Sequence, residues 1–511
     1  MKLQLIGHNY QYAVEQIMTV LFPGDKPVFA PVGRHEENTA AVELSFGPVW
    51  VTATARMNRD GRRAVGQARA LRAALEQDAF SHDRVCQKLV KLCFFKAAVT
   101  ITGEIPPWGA LTGIRPARLV TQMLDAGKTE REALRAMRME YLVSPERARL
   151  CLGPARASRK AAAELRENEI SLYVGIPFCP TRCAYCSFVS ASVEKTFAMI
   201  DPYLDALEDE IRLMSAAVRE LGLRIKSVYM GGGTPTTLSA AQLERLLGAL
   251  EEHFDLTALA EYTVEAGRPD TVTGEKLRVL REHGVTRVSI NPQTMEEHVL
   301  QAIGRRHSAE DVLRAMELAR QSGIPHINMD LIAGLPEDTP EGFRRTLDTC
   351  LALGPDNLTV HTLALKKGSR ILLDGLAIPG AAEVEQMLDY ANAALSDAGY
   401  TPYYLYRQKY MSGNFENVGW CKPGAEGLYN IYIMEELHTI LSLGAGGSTK
   451  MVDPRIGRIE RYYNCKYAKE YMEKPEKRRL DRDQFAAFEG ALMEAYGRAA
   501  APAERTEEHG A

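Results

Sequence analysis

The sequence has almost no charge of one sign to spare. Lys and Arg number 62 against 66 Asp and Glu, a formal net charge of −4 over 511 residues, which argues against the broad basic footprint of a nucleic-acid binder. Long apolar runs are missing too. No stretch approaches the roughly 18–20 uninterrupted apolar residues of a membrane span. The N-terminus is broken by His8, Asn9, Gln11, Glu15 and Gln16 and has no small-residue cleavage pattern, so neither a span nor a signal peptide is expected. Cysteine is sparse: nine residues, an odd number over a long chain, do not form a secreted disulfide framework. They point to reduced thiols and a cytoplasmic location.

What is present is length and apolar content. At about 100–200 residues per domain, 511 residues with 46% hydrophobic content predict roughly three domains. Residues 1–165 read as an N-terminal α+β domain, with a strand at Leu3–Ile6, a helix at Tyr12–Leu21 and a hairpin around Gly47-Pro48. A long helical pattern is expected after it, carried by Ala64, Ala68, Leu71 and Leu75 and then by Val85, Leu89 and Cys93. Residues 166–375 alternate short apolar strands with amphipathic helices. The candidate strands are Leu172–Ile176, Ser227–Met230, Tyr262–Ala266, Arg287–Asn291, Ile327–Ile332 and Leu358–Leu363. Six β/α units imply a parallel sheet with right-handed crossovers, and their length suits an open, partial (β/α)6 barrel of TIM-like kind. Residues 376–495 read as a mostly helical C-terminal domain with an aromatic run at Tyr400–Tyr410, and 496–511 as a disordered tail.

Three of the nine cysteines fall within eight residues, Cys179-Pro180-Thr181-Arg182-Cys183-Ala184-Tyr185-Cys186, in the loop directly after the first barrel strand. Three thiolates on one loop can hold three irons of a [4Fe–4S] cube and leave the fourth open to a non-protein ligand. Zinc is the alternative metal, but closed structural zinc sites take four protein ligands, and no further thiol or His lies nearby in sequence. The loop after the second strand, Gly231-Gly232-Gly233-Thr234-Pro235-Thr236, lets a ligand approach the backbone closely. Counting along the same strand edge adds Glu265, Gln293, Asp330 and Ala364. Asp330 stands in an otherwise apolar strand and shares a face with Asn328, a costly burial unless something hydrogen-bonds to them.

On these motifs the chain resembles the radical S-adenosylmethionine (SAM) superfamily. Within it, Tyr173-Val174-Gly175-Ile176-Pro177-Phe178-Cys179 and the triple-glycine loop resemble the oxygen-independent coproporphyrinogen III dehydrogenase family. Gly419-Trp420-Cys421 and Leu443-Gly444-Ala445-Gly446 look like its HemZ branch. The resemblance implies that Cys179, Cys183 and Cys186 ligate a [4Fe–4S] cluster. Tyr173, Gly232, Glu265 and Ala364 would hold one SAM, and Tyr185, Gly233, Thr234, Gln293, Arg305 and Asp330 match positions for a second. It implies no catalytic residue beyond cluster and SAM. The activity implied is decarboxylation of coproporphyrinogen III propionates to vinyl groups, giving protoporphyrinogen IX, in a monomeric protein served by an electron donor. Phe188 stands where established dehydrogenases carry a further cysteine, as in haem chaperones of the HemW type, which makes haem delivery the alternative function. The stretch corresponding to the chaperones' His-Asn haem motif is Tyr429-Asn430, with His438 and Cys421 as other candidate iron ligands.

Overall fold

The computed structural model describes residues 1–33, 36–76, 81–186, 191–192, 196–365, 369–408 and 412–496. Phe188, Tyr410 and the expected tail from residue 497 onward lie outside the described residues. The chain forms two compact units, Met1–Leu152 and a second beginning at Gly153.

In the first unit, β1 (Lys2–Ile6), β2 (Val28–Phe29), β3 (Thr39–Phe46), β4 (Trp50–Arg59) and β5 (Arg62–Leu71) make a sheet in the order β2-β1-β3-β4-β5. Helices Gln11–Leu21 and Ser81–Thr102 share its apolar core. One expectation is corrected. Residues 62–71, expected to begin a long helix, form β5 in a hairpin with β4. The four-residue spacing of Ala64 and Ala68 satisfies a period of two as well as one of 3.6, and burial settles which applies. Ala64, Gly66 and Ala68 are buried while Val65, Gln67 and Arg69 are exposed. These small residues form a trough for the Ser81–Thr102 helix, in which the helical period does hold, burying Cys86, Leu89, Val90, Cys93 and Phe94. At Gly66 the approach is so close that a Cβ would stand 2.1 Å from the Cys93 carbonyl oxygen.

In the second unit β6 (Glu169–Ile176) is followed by a short pair, β7 (Phe178–Cys179) and β8 (Ala191–Ser192). Then come β9 (Arg224–Gly232), β10 (Glu261–Glu265), β11 (Arg287–Ser289), β12 (His326–Ala333) and β13 (Asn357–Thr362). Strands β6, β9, β10, β11, β12 and β13 lie side by side in that order, all parallel. Between β9 and β13 the chain crosses over through Ala240–His253, Gly274–Glu282, Ala309–Gln321 and Pro340–Ala352, and Ile200–Glu220 precedes β9. With the helix Ala381–Asp397 after β13, these make the six β/α units of the partial barrel. Helix starts carry their own signals: the Ser239 hydroxyl accepts from the Gln242 amide at 3.2 Å, and the Gln242 side chain accepts from the Ser239 amide at 3.0 Å.

The third region contributes helices Ala381–Asp397, Leu428–Glu435, Ala468–Glu473 and Pro475–Tyr496, and five strands besides. Beyond β13 lie β15 (Glu416–Cys421) and β14 (Thr401–Arg407), both in antiparallel pairings, and beyond β6 lie β16 (Ile440–Leu443), β17 (Ser448–Asp453) and β18 (Arg458–Tyr463). β15 and β16 are buried at every position, so they show no alternation by which to recognise a strand. The edge strands β14 and β18 do not pair with one another. No described helix is long and apolar enough to cross a membrane.

Because backbone atoms of a buried helix fill the space above Gly66, Gly66→Ala should destabilise the first unit by about 1–3 kcal/mol. Urea unfolding checks this. An unchanged midpoint would mean the trough has room.

Candidate active site

Six parallel strands present their C-terminal ends on one edge, and a cavity of about 380 Å³ opens there. Cys179, Cys183 and Cys186 line it, together with Tyr185, Gly232, Gly233 and Thr234. So do Glu265, Gln293, Arg305, Asp330 and Ala364. Tyr173 stands behind this lining, stacked on Tyr229 and Tyr429 at ring-centroid distances of 6.3 and 6.4 Å. Sequence-distant residues are thus brought to one place by strand parallelism alone.

The cysteine loop is fixed by backbone bonds. The amides of Gly233 and Thr234 donate to the carbonyls of Ile176 and Phe178, each at 2.7 Å. The triple-glycine loop therefore lies directly against the cysteine loop. A Cβ at Gly233 would stand 2.4 Å from the Phe178 oxygen and 2.7 Å from that of Ile176, so this position admits only glycine. The Ala184 amide donates to Ile303 at 2.9 Å, and the Cys186 amide closes a turn onto Cys183 at 3.2 Å. The Thr234 hydroxyl lies 3.5 Å from the Cys179 sulfur. Among the described residues no trio of His, Cys, Asp or Glu is set to grip one metal ion. Thiolates that each meet a different iron of a cube need not converge on a point, and the donor set, three thiols on one loop facing a shared cavity, fits such a cluster.

Around the thiols the polar groups fall into two sets. On β10 and β12, Glu265 accepts a hydrogen bond from the Tyr229 hydroxyl at 2.5 Å, and Asp330 accepts one from the Asn328 side-chain Nδ2 at 2.9 Å. Burial pushes the Glu265 carboxyl up to about 7; the Tyr229 bond opposes the rise and nearby Asp330 adds to it. For Asp330 burial again favours the neutral form, but His361, with its Nε2 at 3.8 Å, and the Asn328 and Thr359 bonds outweigh it, so its carboxyl is held below the ordinary value. On the loops after β10 and β11, Arg305 donates to the Asn291 carbonyl at 2.6 Å and to the Tyr185 hydroxyl at 3.0 Å. Gln293 has φ +68°, a left-handed conformation rare without glycine, and its buried Oε1 has no hydrogen-bond partner. Gln293 lines the cavity, and a strained residue with an unsatisfied buried acceptor there is a candidate ligand-binding position.

Several lining residues escape the sequence reading. Arg268, Asn291 and His361 each lie at or just beyond the end of a barrel strand, so the edge count that found Glu265 and Gln293 could have reached them. Tyr403, Tyr404 and Tyr406 come from β14, outside the six units, and no local signal ties them to the edge. Asn430 also lines the cavity, on the helix Leu428–Glu435, whose first amide donates to the Glu261 carboxylate of β10 at 2.6 Å. His438 and Cys421 do not. His438 is buried with its Nε2 2.8 Å from the Ser171 hydroxyl, and Cys421 is buried in β15.

Residues 173–350 match the radical SAM superfamily. Over 404 residues the chain is 39% identical to the oxygen-independent coproporphyrinogen-III oxidase-like protein HemZ of Bacillus subtilis, covering 78% of this chain and 80% of that one. It is 31% identical over 301 residues to the heme chaperone HemW of the same organism, covering 57% of this chain and 74% of the other. Among solved structures, coproporphyrinogen III oxidase (HemN) from Escherichia coli is 26% identical, with a TM-score of 0.49 over 63% of this chain and 72% of that one.

The raised Glu265 carboxyl has a consequence for stability. Between pH 4.5 and about 7 the folded protein keeps a proton that the unfolded chain has lost, so this group costs stability as pH rises through that window. Glu265→Gln removes the cost. Its stability relative to the unsubstituted protein should improve from pH 5 to pH 8 by on the order of 2 kcal/mol, read from thermal unfolding at each pH.

Proposed function

Because the chain belongs to the coproporphyrinogen III oxidase-like group of the radical SAM superfamily, we propose that this cavity carries out oxygen-independent oxidative decarboxylation of coproporphyrinogen III. Two propionate side chains become vinyl groups, giving protoporphyrinogen IX. The observation that carries the reading is the opening of three loop thiols and a ring of buried polar side chains into one cavity.

In this reading Cys179, Cys183 and Cys186 hold a [4Fe–4S] cluster with one iron left for the amine and carboxylate of SAM. Cluster and SAM together supply one-electron cleavage and removal of hydrogen from a substrate carbon. The protein's share is binding, orientation and the exclusion of water. Tyr173, Gly232, Glu265 and Ala364 hold this SAM. A cationic ligand beside Glu265 lowers the cost of ionising a carboxyl that burial keeps near neutrality. Tyr185, Gly233, Thr234, Gln293, Arg305 and Asp330 form a second SAM position, in which the bare Gln293 oxygen gains a donor. Tyr229, Tyr403, Tyr404 and Tyr406 give the cavity apolar walls with polar tips, suited to a flat macrocycle and hostile to bulk water. The barrel core spans 166–375, with 1–165 and 376–495 as flanking domains. An external one-electron donor, an acceptor for the electron released as each propionate loses carbon dioxide, and a reducing, cytoplasmic setting complete the scheme.

Anaerobic incubation of the iron-loaded protein with SAM, a low-potential reductant, an electron acceptor and coproporphyrinogen III should yield the monovinyl intermediate and then protoporphyrinogen IX. Cleavage of SAM without a vinyl product overturns the assigned reaction. Saturable haem binding without turnover would instead favour delivery of haem. Gln293→Ala removes an acceptor that has no partner within the protein, so it should weaken SAM binding about tenfold while leaving the melting temperature without SAM unchanged.

A further inference from the structure

Arg268 is 2% exposed, among the most deeply buried cations in the chain. It follows β10 by three residues, at the head of a short turn, Pro269–Thr271. Its Nε and Nη2 donate to the two carboxylate oxygens of Asp270 at 3.1 and 3.2 Å. Its Nη1 points away from Asp270, donating to the Thr181 hydroxyl at 3.0 Å and reaching the Cys183 sulfur at 3.8 Å. The pair is therefore oriented, with the cationic end on a thiol and the anionic end behind it. The turn that carries it is braced. The Thr271 hydroxyl donates to the Arg268 carbonyl at 2.7 Å and lies 2.6 Å from that of Thr236 in the triple-glycine loop. Lys276 donates to the carbonyls of Thr236 and Thr271 at 2.6 and 3.1 Å.

We propose that the Arg268–Asp270 pair is a positioning device that sets the reduction potential of a cluster held by Cys183. This rests on the reading of Cys179, Cys183 and Cys186 as cluster ligands. Reduction adds one electron to the cluster, and a fixed cation hydrogen-bonded to a ligating sulfur stabilises the added negative charge. Arg305 also reaches Cys183, and bonds the Gly267 and Asn291 carbonyls and the Tyr185 hydroxyl, but among the described residues no carboxylate stands behind it. The braced Arg268–Asp270 pair sets up a field of definite direction at one ligand. It lets a donor of moderate strength deliver the electron.

The two partners make opposite predictions, which a loosened loop cannot imitate. In a dye-mediated redox titration of the reconstituted protein without SAM, Arg268→Gln should shift the midpoint negative by at least a tenfold change in the reduction equilibrium, about 59 mV. Asp270→Asn, which leaves the cation in place, should shift it positive. Arg268→Lys should fall nearer the unsubstituted value than Arg268→Gln does. Iron and sulfide are counted in each sample. If the unsubstituted protein takes up no cluster, the cluster assignment falls and this inference with it. If Arg268→Gln loads fully and its potential does not move, or both variants shift the same way, the inference alone is overturned.

Discussion

Two backbone amides, those of Gly233 and Thr234, donate to the carbonyls of Ile176 and Phe178, and the geometry of the cavity is built outward from that pairing. It extends the β6–β9 ladder, which ends at Ile176 opposite Gly232, into the two loops and sets them against one another. Had either loop been able to move independently, the first thiol and the glycine-lined backbone would have no fixed separation. The bond pattern requires a residue without a side chain at 233, and the ladder requires parallel strands with matched C-terminal ends. Sequence, register and site are thereby one constraint at three scales.

The polar groups in the cavity are arranged so that neighbouring groups are driven to opposite protonation states. Glu265 and Asp330 sit on alternate strands of the barrel, one held up by burial and the other held down by His361 and Asn328. Two buried carboxyls that both ionised would repel strongly, and the environment separates them before any ligand arrives. Arg268 and Arg305 balance this on the thiol-bearing side. The division gives a cavity with a cationic region near the sulfurs and an anionic region across it.

Much of this was legible from residue order. The six β/α units could be read because buried parallel strands are short apolar runs and their helices are strongly amphipathic. The thiol loop could be read because no periodicity accounts for three cysteines in eight residues. Residues 62–71 were misread because Ala64 and Ala68 satisfy two periods at once, and only the helix lying over Gly66 decides between them. Arg268 carries no signal in the sequence, because a loop arginine ordinarily faces water; its partners are a carboxylate two residues on and a thiol 85 residues away. The tyrosine wall was invisible for another reason. Tyr229 comes from β9 and Tyr403, Tyr404 and Tyr406 from β14, and only the strands added beyond β13 bring them together.

The Leu428–Glu435 helix begins on a carboxylate that belongs to the barrel. Glu261 accepts from the Leu428 amide at 2.6 Å and from the Tyr429 amide at 3.4 Å, and is itself 3% exposed. Severed from the helix, that carboxylate would keep the Thr263 hydroxyl but lose both backbone donors; severed from the barrel, the helix would lose its anchor. The segment that brings Asn430 to the cavity is therefore not a removable lid. It is soldered to the third barrel strand, so exchanging this region between relatives would have to carry the acidic residue and the helix start together, as a single unit of inheritance.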